Sequence, residues 1–260
     1  MESSWKRDAA LSAAPGAVAV PGREPVSGLE AVPQALRRRP ITVELVGLAG
    51  VGKSHLEARL AAWFGERALA PSAAATTVVQ LPDLLRALVR VLPLVAYVLR
   101  GTGSPLGERA RFSLHLVAHA WREAVTVRRA PQVVLASTGW YHKLRRIRRF
   151  HQGQRSFAEL PAAAKRRLFD VDLVLLVHAD PATICARKLR RSGTEVTPET
   201  IARQYARSDA RGQWDEYALT RRDLEEAAEL HGQRFMEIDY RDDFDLERDL
   251  IPHLRRHGIA

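Results

Sequence analysis

The chain has 260 residues, 46% of them hydrophobic, with 40 Lys plus Arg against 30 Asp plus Glu, a formal net charge of +10 and one cysteine. A chain of this length buries a sizeable core without staples. The lone Cys185 excludes an internal disulfide and a Cys-based zinc site, and points to a reducing, cytoplasmic setting. The basic balance favours anionic partners such as phosphates, nucleic acid or acidic lipid, without choosing among them. The start lacks the apolar run of a secretory leader. The most apolar stretch, Leu81 to Leu99, is interrupted by Asp83, Arg86, Arg90 and Pro93, so no membrane-spanning segment is expected.

Residues 1–39 are rich in Ala, Pro, Gly and Val without period, and read as a disordered N-terminal tail ahead of one domain over residues 40–260. From there β-branched or leucine-rich runs alternate with helical patterns, which predicts an α/β fold: a three-layer α/β/α sandwich around a five-stranded parallel sheet. In chain order the strands are expected at Ile41–Val46, Thr77–Leu81, Gln132–Ser137, Asp172–His178 and Phe235–Asp239. The helices are expected at Lys53–Phe64, Leu81–Leu99, Glu108–Val127, Pro181–Arg191, Pro198–Asp209 and Thr220–His231.

Directly after the first strand stands Gly47-Leu-Ala-Gly50-Val51-Gly52-Lys53-Ser54, a full G-x-x-x-x-G-K-S phosphate loop followed by an amphipathic helix that opens on His55. The glycines let the backbone turn around an anion, and the N–H groups at the helix start face it. In that context Lys53 reaches the β- and γ-phosphates of ATP or GTP, and the Ser54 hydroxyl is the expected ligand of Mg²⁺.

With this loop the sequence resembles P-loop kinases of the nucleoside monophosphate type, nearest to thymidylate-kinase-like proteins, over residues 41–257. The run from Leu173 through Asp180-Pro181 to Arg191 is similar to the family's fourth strand, its Asp-Pro turn and the helix into the lid. By that resemblance Arg187, Arg190 and Arg191 are lid arginines, which would stabilise charge on the transferred group. Tyr240 and Arg241 would neighbour the base, and Arg86, Arg109 or Arg111 would grip an acceptor phosphate. The resemblance also implies the strand order 2-3-1-4-5 of a P-loop NTPase.

At the end of the third strand the pattern breaks. Related kinases present an aspartate there, whereas this chain has Ser137 and Thr138 before Gly139. A hydroxyl does not replace a carboxylate that holds a metal-bound water or takes a proton. Three acids are candidates: Asp83 first, after the second strand; Glu44, a charge inside an apolar strand; and Glu108, which a helix start alone explains.

The stretch Trp140 to His151 mixes aromatics with arginines. Closing over a large anionic acceptor, binding nucleic acid, lying on a membrane surface as a peripheral contact and a plain solvated basic helix all fit it. The leading expectation is a Mg²⁺–ATP-dependent kinase acting on a nucleotide or another small phosphorylated or hydroxylated acceptor. The alternatives are an ATP-binding protein without turnover, serving regulation or assembly, and, ranked last for want of any recognition motif, a nucleic-acid-dependent ATPase.

Overall fold

A computed structural model describes residues 39–69, 81–130, 132–151 and 157–259. The described strands form one five-stranded sheet, β1 (Ile41–Val46), β2 (Ala68–Leu69), β3 (Val133–Ala136), β4 (Leu173–His178) and β5 (Phe235–Asp239), in the order β2-β3-β1-β4-β5. All four pairings are parallel. This is the order the resemblance implied.

The central strands are apolar on both faces because both faces are covered. All six residues of β1 are buried. Alternation still sorts them: Leu173, Leu175 and Val177 of β4 enter one core, Val174 and Leu176 the other. On β1, Ile41, Val43 and Leu45 share the first core and Val46 the second. Thr42 and Glu44, four and two residues before Val46, therefore face the second core.

The first core is closed by α1 (Lys53–Phe64), through Leu56, Leu60 and Phe64, and by α6 (Pro181–Arg191), α9 (Leu246–Asp249) and α10 (Ile251–Arg256). The second is closed by α2 (Leu81–Leu99), α3 (Leu106–Arg129), α4 (Trp140–Arg149), α5 (Ala162–Leu168) and α8 (Gln213–His231). Between α6 and α8 runs α7 (Pro198–Asp209). The result is helices on both faces of a parallel sheet, as expected. No described helix is long and apolar enough to cross a membrane.

Three sequence expectations change. Residues 77–80 of the expected second strand lie outside the described residues, Leu81 opens α2, and the strand that pairs with β3 is Ala68–Leu69. The stretch after β3 is α4, and its aromatic half is core: Trp140, Tyr141, Leu144, Ile147 and Phe150 are buried. Its arginines are engaged as well, Arg145 with Glu216 at 2.6 Å, Arg148 with the buried Asp223, and Arg146 over the Phe112 ring at 4.9 Å. This helix is an internal wall and not a solvated basic strip. Finally, α8 starts at Gln213, seven residues earlier than the expected Thr220. The expected tail, Arg39 aside, lies outside the described residues.

Candidate functional site

The loop between β1 and α1 has the backbone an anion cradle requires. Gly47 and Gly52 sit at φ 150° and 109°, where a side chain is strained. A Cβ on Gly47 would lie 2.2 Å from the Val177 carbonyl oxygen at the end of β4, and one on Gly52 would lie 2.8 Å from the Tyr240 ring. Gly52 is the N-cap of α1, so the N–H groups of the first turn point outward beyond it. Gly50, at φ 92°, approaches the Lys188 side chain, and Val51 is wholly buried.

Lys53 Nζ donates to the carbonyls of Gly47 at 2.7 Å and Leu48 at 3.0 Å. Burial lowers its ammonium from 10.5 to about 8, opposed by the charge of Glu216. Ser54 and His55 follow on exposed positions of the first turn.

Across the loop, Arg187 Nη1 donates to the Val51 carbonyl at 2.7 Å, while Nη2 donates to the Tyr240 carbonyl at 3.0 Å and to Asp242 at 2.8 Å. Its guanidinium lies 5.3 Å from the Tyr240 ring centroid, and the Tyr240 hydroxyl meets His55 Nδ1 at 2.7 Å. The loop, the start of α1, α6 and the segment after β5 are thereby tied together. The α6 end of that tie is set locally: Asp180 caps α6 by accepting from the Thr183 N–H at 2.8 Å, and Pro181 fills its first turn.

One turn into α1 stands an acid that sequence reasoning passed over. Glu57 accepts from the Ser137 hydroxyl at 2.6 Å and from the Ser137 N–H at 3.3 Å. A carboxylate therefore sits at the end of β3 after all, supplied by α1. Its spacing from Lys53 and Ser54, one helical turn, was the available signal.

Glu44 lies behind this pair. It is 1% exposed and accepts the backbone N–H groups of Trp140 at 3.1 Å and His142 at 3.2 Å, at the start of α4. Gly139 is needed there, since a Cβ would fall 2.3 Å from the Glu44 carboxyl carbon. Burial raises the Glu44 carboxyl from 4.5 to about 8, despite those backbone bonds. Glu123 of α3 is also raised by burial, and takes the Trp140 indole N–H at 2.6 Å and Arg90 at 3.3 Å. Glu44, Glu57, Glu123 and Ser137 share the wall of one cavity of about 190 Å³.

Other sequence candidates go elsewhere. Asp83 is buried in the first turn of α2 and ion-paired with Arg128 and, at 3.6 Å, with Arg86. Arg109 donates to the carbonyls of Leu99 and Gly101, stapling the α2–α3 turn. Arg111 and Glu108 are exposed on α3. Arg190 and Arg191 are exposed in the last turn of α6, and Arg241 pairs with Asp239 at 2.6 Å.

No protein-family model and no curated protein matches the chain. Among solved structures it is similar to TT1252 from Thermus thermophilus, at 20% identity and a TM-score of 0.36, over 84% of this chain and 98% of that one.

Proposed function

We propose that the chain is a phosphotransferase of P-loop kinase type, which moves the γ-phosphoryl group of ATP to a small acceptor. The observation that carries this reading is the approach of two elements: the glycine loop with Lys53, and, one turn along the same helix, Glu57 held against Ser137 at 2.6 Å. A phosphate cradle alone serves a binding protein equally well. A positioned carboxylate beside it is what phosphoryl transfer to a hydroxyl needs in addition.

In this reading the loop N–H groups and Lys53 bind the phosphates, with Lys53 leaving the Gly47 and Leu48 carbonyls for phosphate oxygens. Arg187 holds the loop and the segment after β5 in register, and its place against Val51 makes it a positioning residue. Arg190 and Arg191, both exposed at the end of α6, are left as the lid arginines that approach the transferred group. The Ser137 hydroxyl and N–H orient Glu57, which accepts the proton of the attacking hydroxyl.

The oxygen donors at this corner suit Mg²⁺. Ser54 offers an exposed hydroxyl, while Glu57, three positions on along α1, is kept for the proton of the attacking hydroxyl. That ion prefers one or two protein oxygens together with phosphate oxygens and water. Among the described residues no group of three or more His, Cys, Asp or Glu gathers into a metal site. Mg²⁺, when bound with ATP, would neutralise charge on the phosphates; Ser54 would hold it.

ADP release from Mg–ATP, with and without pooled hydroxylated and phosphorylated acceptors, tests the reading. Acceptor-dependent turnover should vanish in Lys53→Ala and fall about 10²–10⁴-fold in Glu57→Gln, the usual worth of a positioned proton acceptor. ATP binding without turnover in any acceptor pool would replace the reading with that of a regulatory ATP-binding protein.

A further inference from the structure

The cavity of about 190 Å³ between β1, β3, α1, α3 and α4 has a wall unlike that of a phosphate pocket. Its ionisable groups are Glu44, Glu57, Glu123, His119, Arg122 and Lys143. Arg90 reaches Glu123 at 3.3 Å, and the charges of Arg122 and Lys143 are matched by those of Glu57 and Glu123. Burial keeps the His119 ring neutral, its value lowered to about 3, and keeps Glu44 protonated below about pH 8. Two buried groups on this wall, His119 Nε2 and Arg122 Nε, carry no hydrogen bond. Buried polar atoms are normally paired, and such atoms lining a cavity mark where a polar ligand would complete the set. The hydroxyls of Thr42, Ser137 and Thr138 add three more short-range partners.

Resting on the phosphotransfer reading, we propose that this cavity is the acceptor site and that its acceptor is a small, uncharged polyhydroxylated molecule, not a nucleotide. The volume lies below the roughly 300–1,000 Å³ of pockets that take drug-sized ligands. A phosphomonoester carries about 1.5 to 2 negative charges at neutral pH, and here Arg122 and Lys143 are already matched by Glu57 and Glu123, so that the wall offers no surplus positive charge to hold it. Hydroxyl groups instead find donors in Arg122, Lys143 and protonated Glu44, and acceptors in Glu57, Glu123 and His119. The hydroxyl nearest Glu57 attacks the γ-phosphorus. The new O–P bond forms as the bond to the β–γ bridging oxygen breaks, ADP leaves with that electron pair, and the hydroxyl proton passes to Glu57. The products are ADP and a phosphomonoester.

The test uses the full chain, Mg–ATP and two sets of probes: D-ribose, D-glucose and myo-inositol, against dTMP and UMP. At least one of the uncharged compounds should raise ADP release tenfold or more over ATP alone, with neither monophosphate doing so. Thr138→Trp, at the exposed rim of the cavity, and His119→Phe, which keeps the ring against Trp140, should each raise KM for the responding compound at least tenfold while melting as cooperatively as the wild type. Turnover with dTMP or UMP, silence with all three uncharged compounds, or KM changes under twofold in both variants would overturn the proposal. Titration with a fluorescent ATP analogue separates the two layers: a chain that fails to bind ATP removes the phosphotransfer reading. Calorimetric binding of the uncharged compounds without ATP, weakened by Thr138→Trp, would then still support the cavity as their site, and absence of that binding would overturn it too.

Discussion

Replacing Glu44 by glutamine probes the electrostatics at the centre of the sheet. The carboxyl is 1% exposed, and burial raises it from 4.5 to about 8. Between those values the unfolded chain is ionised at this position while the folded chain keeps the proton. The folded state then binds more protons, so stability falls as pH rises, by about 1.4 kcal/mol per pH unit until the native carboxyl itself begins to ionise. Integrated from pH 6.5 to 8, the loss is about 1.5 kcal/mol. Glu123, which burial also raises, adds to the fall in the same direction, and the other buried groups work in different windows. His119, lowered to about 3, and His142, lowered to about 4, stabilise the fold as pH rises towards the ordinary histidine value and add little beyond it. Lys53, lowered to about 8, sheds its proton before the unfolded chain does and adds stability above that pH. Urea unfolding followed by circular dichroism at pH 6.5, 7, 7.5 and 8 should show the wild type losing stability across the series. Glu44→Gln has no carboxyl to ionise and so escapes the roughly 2.7 kcal/mol that the wild type has already lost between pH 4.5 and 6.5; after about 1 kcal/mol for an amide that accepts only one of the two backbone N–H groups well, it should start about 1.7 kcal/mol above the wild type. It should then fall less steeply than the wild type, so that the gap between the two widens towards pH 8. Parallel curves for the two proteins would refute the assignment of a protonated Glu44.

Three further outcomes follow from the same geometry. Ser137→Asp, which mimics the usual kinase residue, should lower turnover at least tenfold instead of raising it, because it sets a second carboxylate against Glu57 across what is now a 2.6 Å hydrogen bond; steady-state kinetics with the responding acceptor reads this. Gly47→Ala should destabilise the chain by about 2–3 kcal/mol and abolish ATP binding, since its Cβ would meet the Val177 carbonyl oxygen at 2.2 Å, as thermal melting and a fluorescent ATP analogue would show. With Lys53 titrating at about 8, affinity for ATP should fall with rising pH above that value, by up to about tenfold per pH unit, and this slope should disappear in Lys53→Ala.

The parts of the fold that were legible in the sequence are those whose signals lie within one element. Helix α6 is announced by Asp180-Pro181, an N-cap followed by the residue that suits the first turn, and α7 by Thr197-Pro198 in the same way. The apolar run of β1 and the glycine loop after it are equally local. Strand β2 has only Ala68 and Leu69, too short for any period, so the β-branched Thr77–Leu81 run drew the assignment instead. The α4 segment misleads through its charge. Counted along the chain it is a basic run, but two helical turns bring Trp140, Tyr141, Leu144 and Ile147 to the same side, and that side is core.

The candidate site divides along the same line. Gly47 to Ser54 is one contiguous motif and could be read directly; the acid that partners it could not. Glu57 looks like any surface acid of an amphipathic helix, and Ser137 like a lost aspartate. What joins them is register. Glu44 of β1 pairs with Ala136 of β3, so the chain leaves β3 at Ser137 level with the C-terminal end of β1, where α1 is already passing after its glycine turn. A carboxylate one turn into α1 then reaches the place that an aspartate on β3 would fill from the strand itself. Under the phosphotransfer reading, Ser137 in place of a kinase aspartate takes a residue from the strand without taking a carboxylate from the site, and Glu57→Gln measures whether the chemistry sits there.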